Sequence, residues 1–154
     1  MELSGSHTFD AAQPIVWEVV TDPEVLRRTL PGCQKFEVQP DGSYQVVLSI
    51  GIASIKGIYS GSVRMMNEHP PDSYSLQVSA RGGAGFVDGQ GDFTLAPSGD
   101  GNKQTLLTYT GRTMVGGKIA GVGQRLILAG AHLVIGQFFK ALEKEVKAAA
   151  GSET

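Results

Sequence analysis

Residues 114–136, MVGGKIAGVGQRLILAGAHLVIG, give the strongest indication of the fold, together with the proline-free sequence that follows them. No proline occurs between Lys118 and Ala149, so this segment predicts one long helix of roughly 48 Å, at about 1.5 Å per residue. Between residues 119 and 135 the polar residues are Gln124, Arg125 and His132. A helix that is apolar on nearly every side requires cover on nearly every side. We therefore expect its first half to meet more than one apolar surface.

The glycines of this stretch resemble two nucleotide-binding signatures, but the spacing fits neither of them. A P-loop ending at Lys118 would need glycine where Arg112 stands and a hydroxyl side chain where Ile119 stands. A dinucleotide fingerprint beginning at Gly121 would need a small residue where Leu126 stands, inside an alternating pattern of strands and helices that the chain lacks. The glycine-rich run therefore does not predict a phosphate site.

On a helical wheel, three glycines spaced by sevens share one side of the expected helix: Gly116, Gly123 and Gly130. Glycine inside a helix costs about 1 kcal/mol relative to alanine, so repeated glycine indicates that something approaches closely. Close packing against a sheet is one interpretation, and room for a ligand in an apolar pocket is the other.

A different side of the same wheel carries large apolar residues, including Leu126 and Leu133. We expect this side to meet a protein partner, a membrane surface or a bound lipid-like molecule. The alternative is that residues 50–58 or a dimer mate cover it.

The first third of the chain predicts one strand and two short helices. The opening segment reads as a strand ending at Asp10, and QPIVWEVVTD reads as a helix with Pro14 near its first turn. DPEVLRRTLPG predicts a second helix with Asp22 as its N-cap, Pro23 in the first helical position and a stop at Pro31.

After the second predicted helix, the periodicity changes from helical to alternating. One predicted strand has Tyr44, Val46, Leu48 and Ile50 on a single face. Another has Tyr74, Leu76 and Val78 on one face and Ser75, Gln77 and Ser79 on the other. Further strands fit residues 57–67, 86–96 and 103–112, and glycines within them favour bulges or strong bending. The order predicts an α+β fold: a curled antiparallel sheet of about seven strands wrapped on a long C-terminal helix, with two short helices after the first strand.

Composition restricts the classes of function. The 154 residues suit a single domain, which we place at residues 1–149 with a disordered tail at 150–154. A net charge of −2 provides no general electrostatic reason to bind nucleic acid, so we exclude DNA and RNA as main partners. Cys33 is the only cysteine and the start does not resemble a signal peptide, which predicts a cytoplasmic protein. The apolar segment 119–135 is too short to span a bilayer.

The titratable residues do not form a catalytic pattern. No metal-ligand spacing joins His7, His69 and His132, so we expect no metal site. Cys33 has no helper base nearby in sequence, which favours a packing role over a nucleophile.

Two pairs of charged residues have a functional interpretation beside a structural one. Asp88 and Asp92 point the same way on one strand, as paired carboxylates would, but solvated positions explain them equally simply. Arg81 and Arg112 would suit a polar head group at a pocket mouth or an ordinary surface, and we favour the surface. We therefore predict no catalytic residues.

Several segments together resemble one protein family along most of the chain. The segments run in order from the N-terminal MELSGSHTFDAAQPIVWEVVTDPEVL through LPGC at 30–33, ASIKGIYSGSVRM at 53–65, GGAGFVDGQGDFTL and YTGRTMVGGKIAGVGQRLI. They resemble the family of the CoxG subunit of carbon monoxide dehydrogenase, within the SRPBCC/START helix-grip superfamily. The resemblance covers residue 1 to about residue 142.

This resemblance implies a hydrophobic cavity between sheet and helix, and a non-catalytic accessory protein that serves a molybdenum hydroxylase of the carbon monoxide dehydrogenase type. Proteins of this kind are thought to bind an isoprenoid quinone, menaquinone-like or ubiquinone-like, and to link that enzyme to the membrane and the respiratory chain. It further implies peripheral association with the inner face of the plasma membrane, and no covalently bound cofactor. A homodimer is left open.

By position within the resembling segments, we expect eight residues to form the walls or mouth of the cavity: Tyr59, Phe86, Met114, Val115, Ile119, Gly123, Leu126 and Ile127. A register error of one residue would move a strand's assignments to the opposite face.

Two alternatives to this function remain open. One is an enzyme of the polyketide cyclase or hydrolase type on the same fold, which requires a buried titratable residue facing the cavity. The other is an assembly protein with a filled core.

Overall fold

Seven antiparallel strands form one sheet in the computed structural model, which describes residues 1–152. The strands are β1 (Glu2–Phe9), β2 (Cys33–Val38), β3 (Tyr44–Ile50), β4 (Gly57–His69), β5 (Ser73–Gly82), β6 (Gly85–Ser98) and β7 (Gln104–Gly116). Their order across the sheet is β1-β7-β6-β5-β4-β3-β2. Strands β2 to β7 follow one another as a meander, and β1 pairs with β7, so β1 and β2 form the two edges.

Three α-helices accompany the sheet: α1 (Gln13–Val20), α2 (Pro23–Thr29) and α3 (Gln124–Ser152). The predicted cap of α2 is confirmed, because the Asp22 carboxylate accepts a hydrogen bond of 2.9 Å from the backbone N–H of Glu24. Helices α1 and α2 carry the chain from β1 to β2 at opposite edges of the sheet. The predicted α+β fold, with two short helices after the first strand and a long C-terminal helix, is therefore confirmed.

The alternating pattern of apolar residues sets which sheet face is inward. Tyr74 and Ala80 of β5 are buried while Arg81 and Gln77 are exposed, and β1 alternates in the same way up to the fully buried Phe9. Helix α3, about 43 Å long at about 1.5 Å per residue, packs across this inner face.

The start of the long helix lies later than the sequence predicts. Residues Lys118–Val122 form a 3₁₀ turn, and α3 begins only at Gln124. The backbone has positive φ at Gly117 (80°) and at Gly123 (98°), a conformation that glycine adopts freely and that an α-helix cannot contain. The prediction of one uninterrupted helix from Lys118 is therefore wrong.

The glycine stripe on the helical wheel is wrong for the same reason. Gly116 is the last residue of β7 and lies beneath the Phe86 ring, while Gly123 precedes α3 and faces open space. Gly130 alone of the three lies within α3, where a Cβ atom would be 2.7 Å from Ser54 Oγ and 3.2 Å from Ile55. Close packing therefore explains Gly130, although its neighbour is the Ala53–Ile55 3₁₀ turn and not a strand.

The C-terminal boundary also differs from the prediction. Helix α3 extends to Ser152, so residues 150–152 are helical and do not belong to a disordered tail. Residues 153 and 154 lie outside the described residues. By length and composition, Gln124–Gly151 would suffice to cross a membrane, but in this structure it packs against the inner face of the sheet.

Candidate ligand cavity

A cavity of about 380 Å³ separates the inner face of the sheet from the first half of α3. Strands β3 to β7, the start of β1 and the helix all contribute to its wall. The helix supplies Ile127, Ala131, Val134, Ile135 and Phe138, and the sheet supplies mainly aliphatic side chains such as Leu48, Leu76, Val78 and Val87. A space of this size and lining is typical of a site for a small apolar molecule.

Glycines on the inner face help to keep this space open. Gly91 of β6 pairs directly with Gly111 of β7, and Gly89 pairs with Thr113. A Cβ atom at Gly111 would meet only the backbone oxygens of Gln90 at 3.6 Å and Leu3 at 3.9 Å, which are ordinary contact distances. The absent side chains, rather than a distorted backbone, therefore account for part of the cavity volume.

One end of the cavity is closed by the segments that connect the strands. Ile119, which is 5% exposed, packs with Ile50, Tyr59 and Ala80 in a small apolar cluster. Its backbone N–H donates to the Ala84 carbonyl at 2.6 Å, and the Tyr59 hydroxyl donates to the Ile55 carbonyl at 2.7 Å. These bonds satisfy the polar groups next to the apolar wall.

Tyr109 lines the cavity, and its hydroxyl group, which lies over Gly5 of the edge strand β1, has no hydrogen-bond partner among the described residues. Its ring stacks on Phe139, with centroids 5.5 Å apart, and lines the cavity. A Cβ atom at Gly5 would lie 2.8 Å from Tyr109 Cζ, so glycine on the neighbouring strand leaves room for this side chain. Burial raises the pKa of Tyr109, which keeps the hydroxyl protonated and able to donate.

Four of the eight residues predicted for the site lie in the cavity wall: Tyr59, Val115, Ile119 and Ile127. Phe86 and Met114 belong to the outer face of the sheet, because their neighbours Val87 and Val115 point inward and side chains alternate along a strand. Gly123 faces open space and Leu126 is 52% exposed, so neither forms a wall. These four residues are therefore not part of the cavity wall.

The charged candidates lie away from the cavity. The Asp88 and Asp92 carboxylates each accept a 2.6 Å hydrogen bond on the outer face, from Ser79 and Ser75 respectively. Arg81 stacks over the Phe86 ring at 5.2 Å on that same face, and Arg112 lines an open groove there. The structure thus places both arginines on the surface, as we expected.

The three histidines and Cys33 also lie outside the cavity wall. His7 hydrogen-bonds Glu143 at 3.0 Å and stacks on Phe139, while His69 and His132 are exposed. Burial raises the pKa of the Cys33 thiol, which opposes formation of the thiolate. Within residues 1–152, no group of His, Cys, Asp and Glu side chains could hold a metal ion.

Sequence reasoning missed several residues that define the cavity, among them Tyr109, Gly111, Phe138 and Ala131. The YTG stretch at residues 109–111 does contain a signal: an aromatic residue and a glycine two positions apart on the same strand face. This spacing indicates a cavity only when the strand register is known to place Gly91 opposite Gly111.

A curled antiparallel sheet that closes on a long C-terminal helix around an apolar space defines the helix-grip class of START-like proteins. A START superfamily protein from Mycobacterium smegmatis has this fold, with a TM-score of 0.69 and 16% identity over 96% of this chain and 97% of that one. Truncated norcoclaurine synthase from Thalictrum flavum also shares it, with a TM-score of 0.67 and 16% identity over 95% of this chain and 92% of that one.

The particular family follows from the sequence. The family model for the CoxG subunit of carbon monoxide dehydrogenase matches residues 5–147, and the chain therefore belongs to the CoxG family. A conserved protein from Geobacillus kaustophilus is 36% identical, with a TM-score of 0.92 over 97% of both chains. No curated protein matches the chain significantly. The family resemblance found in the sequence is thus confirmed.

Proposed function

We propose that this protein binds an apolar, quinone-like molecule in the cavity and serves as a non-catalytic accessory protein of a carbon monoxide dehydrogenase-type molybdenum hydroxylase. In this role it would connect the enzyme with the membrane and its respiratory chain, from the cytoplasmic side. Membership of the CoxG family supports the association with such an enzyme. The observation that carries the ligand proposal is the apolar cavity, together with the Tyr109 hydroxyl, which has no hydrogen-bond partner among the described residues.

The chemistry of the wall selects a class of ligand. Aliphatic and aromatic side chains surround nearly all of the space, which favours a ligand that leaves water because of its apolar surface. The Tyr109 hydroxyl supplies one donor for an oxygen atom on that ligand. A quinone has carbonyl oxygens on an otherwise apolar ring and tail, and so meets both requirements.

The non-catalytic role is supported by the kinds of side chain in the wall. No Asp, Glu, His, Lys or Cys side chain is among the described residues that line the cavity. Tyr59 and Tyr109 are the titratable side chains there, and burial raises the pKa of both. General acid–base catalysis near neutral pH needs a group whose pKa is close to the working pH, and burial shifts the pKa of these phenols further from it. Norcoclaurine synthase has the same fold, but fold alone does not assign an enzymatic function.

A cavity-filling substitution tests the ligand proposal. Gly111→Leu places a side chain in the cavity at a position where a Cβ atom meets no close contact. We expect titration with menaquinone-4 or ubiquinone-1, followed by tryptophan fluorescence or native mass spectrometry, to show a loss of affinity of about 30-fold or more, roughly 2 kcal/mol. The leucine occupies the ligand's volume, whereas the backbone remains unstrained.

Two further variants complete the experiment. Gly136→Leu is the matched control, since Gly136 is exposed on α3 and a Cβ atom there would have no neighbour within 4 Å; it should bind quinone as the parent protein does. Ala131→Leu fills the cavity from the helix side if Gly111→Leu does not fold. Equal quinone affinity in the parent and a folded cavity-filled variant would contradict the proposal, as would a parent protein that binds neither quinone.

A further inference from the structure

Three connecting segments lie together at the closed end of the cavity: residues 50–58, 81–86 and 114–126, here named the basic tip. Strand pairing brings them to one end of the sheet through the pairs Ile50–Gly57, Tyr59–Gly82 and Phe86–Gly116. The Ile119-to-Ala84 hydrogen bond joins the second segment to the third. Gly130 of α3 packs on Ser54 of the first segment. The tip is therefore one continuous surface.

The basic tip carries positive charge and no compensating carboxylates. Its segments contain Lys56, Arg81, Lys118 and Arg125, all exposed, and contain no Asp or Glu. None of the four cations has a carboxylate partner among the described residues, although Arg81 stacks on Phe86. The rest of the chain has all 15 acidic residues and only nine of the 13 basic ones. A slightly acidic protein thus has one basic end.

Elsewhere on the surface, cations lie close to carboxylates: within residues 1–152, four of the nine Lys and Arg residues outside the tip form ion pairs, and Lys140, Lys144 and Lys147 share the last turns of α3 with Glu143 and Glu145. Arg28 bonds Glu145 at 2.7 Å, Arg64 bonds Asp41 at 2.7 Å, and Arg27 and Lys35 have carboxylate neighbours as well. Cations that cluster without neighbouring carboxylates generate a field that attracts an anionic surface. The tip differs from the rest of the surface because its three segments contain no carboxylate, so its positive charge is not compensated locally.

Large apolar side chains are exposed among these cations. Ile58 is 58% exposed, Val122 is 37% exposed and Leu126 is 52% exposed. Leu133 extends the apolar surface along α3 and is 57% exposed. Apolar side chains interspersed with lysine and arginine are typical of segments that lie in the interface of a bilayer, where the apolar groups enter the acyl boundary and the cations meet lipid phosphates.

We infer that the basic tip docks on an anionic lipid bilayer, with Val122 and Leu126 inserted at the interface and Lys56, Lys118 and Arg125 against the head groups. Charge complementarity selects an anionic surface, and the exposed aliphatic side chains select lipid over a polyanion. The biological role of this docking rests on the proposed function, because it would place the cavity next to the bilayer, which holds isoprenoid quinones. The docking surface itself is argued from the residues of the tip alone.

Vesicle flotation tests this inference with the full-length protein. Vesicles of about 70% phosphatidylcholine and 30% phosphatidylglycerol should bind the protein, and pure phosphatidylcholine vesicles should bind it about ten-fold less or weaker still. Each removed Lys or Arg should weaken binding by about five-fold. Lys118→Glu with Arg125→Glu should therefore lower affinity by about 25-fold or more. Leu126→Asp should cause a comparable loss by opposing insertion.

Matched controls lie at the opposite end of the molecule. Val38 is 70% exposed at the far end of β2, so Val38→Asp adds the same charge to a similar apolar position. Lys144→Glu with Lys147→Glu matches the double charge reversal on the C-terminal half of α3. These controls should retain most of the binding, because their positions face away from the tip.

The docking inference and the proposed ligand fail in different measurements. No binding to the anionic vesicles, or equal losses from tip and control substitutions, would overturn the docking surface even if quinone titration succeeds. Conversely, Gly111→Leu should still float with anionic vesicles although it no longer binds quinone. Loss of quinone binding in a tip variant measured without vesicles would also contradict the inference, because the substituted tip residues lie outside the cavity wall.

Discussion

The two halves of α3 pack in different ways against the same sheet. The C-terminal half meets a filled core in which Phe9, Leu107, Leu142 and Val146 are at most 1% exposed. The N-terminal half faces the 380 Å³ cavity and leaves Leu126 and Leu133 more than half exposed on its other side. One helix thus provides stability at one end, and at the other it lines a space and presents an apolar surface.

The difference follows from the residues that the sheet places opposite each half. Aromatic rings fill the first region, where Phe9, Tyr74 and Phe139 pack with the apolar faces of α1 and α2. Glycines stand opposite the second region, where Gly89, Gly91 and Gly111 supply no side chains. Close packing of large rings stabilises a core, whereas a run of glycines on a curled sheet leaves volume unfilled.

Truncation of one leucine in each half should give the largest difference. Leu142→Ala removes a buried side chain and should lower the free energy of unfolding by about 2–5 kcal/mol. Leu133→Ala removes an exposed one and should change it by less than about 0.5 kcal/mol. Urea denaturation of both variants measures the difference. Similar losses at the two positions would show that the halves do not differ in packing as described.

High pH should destabilise the filled half through Tyr74. Burial raises the pKa of Tyr74 in the folded protein, above the value of about 10 in the unfolded chain. Its contribution to stability is therefore complete below about pH 10, and declines as the pH rises from there toward the folded-state pKa, by up to about 1.4 kcal/mol per pH unit.

Unfolding measured at about pH 9 and about pH 11, on either side of the unfolded-state pKa, checks this effect. Tyr74→Phe should reduce the loss of stability between the two pH values by more than Tyr109→Phe does, because Tyr74 is the more deeply buried of the two. An unchanged pH dependence in Tyr74→Phe would show that other groups control the alkaline transition.

The smallest expected effect concerns the uncommitted hydroxyl group in the cavity half. Tyr109→Phe removes the donor but keeps the ring that stacks on Phe139. We expect affinity for menaquinone-4 to fall by about three- to ten-fold, as for one hydrogen bond, with little change in the free energy of unfolding. Tyr59→Phe is the comparison, since the Tyr59 hydroxyl already bonds the Ile55 carbonyl and should affect stability more than affinity. Unaltered affinity in Tyr109→Phe would remove this residue from ligand recognition.

Local signals were sufficient to predict most elements of the fold. Period-two alternation identified the inner faces of β3 and β5, and the Asp22–Pro23 pair located the start of α2. The family also followed from ordered motifs along the chain. These features depend on neighbours in sequence, because strand faces, helix caps and motif order are each set by residues a few positions apart.

The candidate site was only half predictable. Val115 and Met114 were both assigned to the cavity, although adjacent strand residues must face opposite sides. The helix start was predicted too early because a wheel cannot register the positive φ values of Gly117 and Gly123. The first error ignores the alternation of side chains along β7, and the second treats residues 118–123 as part of a regular helix although they form a 3₁₀ turn.

Periodicity, residue type and motif order in the sequence were enough to specify the sheet, the long C-terminal helix and the family, since each of these signals lies in neighbouring residues. The folded structure alone reveals where the cavity lies, that the Tyr109 hydroxyl has no hydrogen-bond partner among the described residues, and that four cations meet at one tip without a carboxylate. Those properties depend on the register that sets Gly91 opposite Gly111, and on the strand order that gathers three distant segments at one tip. Contacts between residues far apart in the chain arise from packing of the whole fold, and no local pattern specifies them.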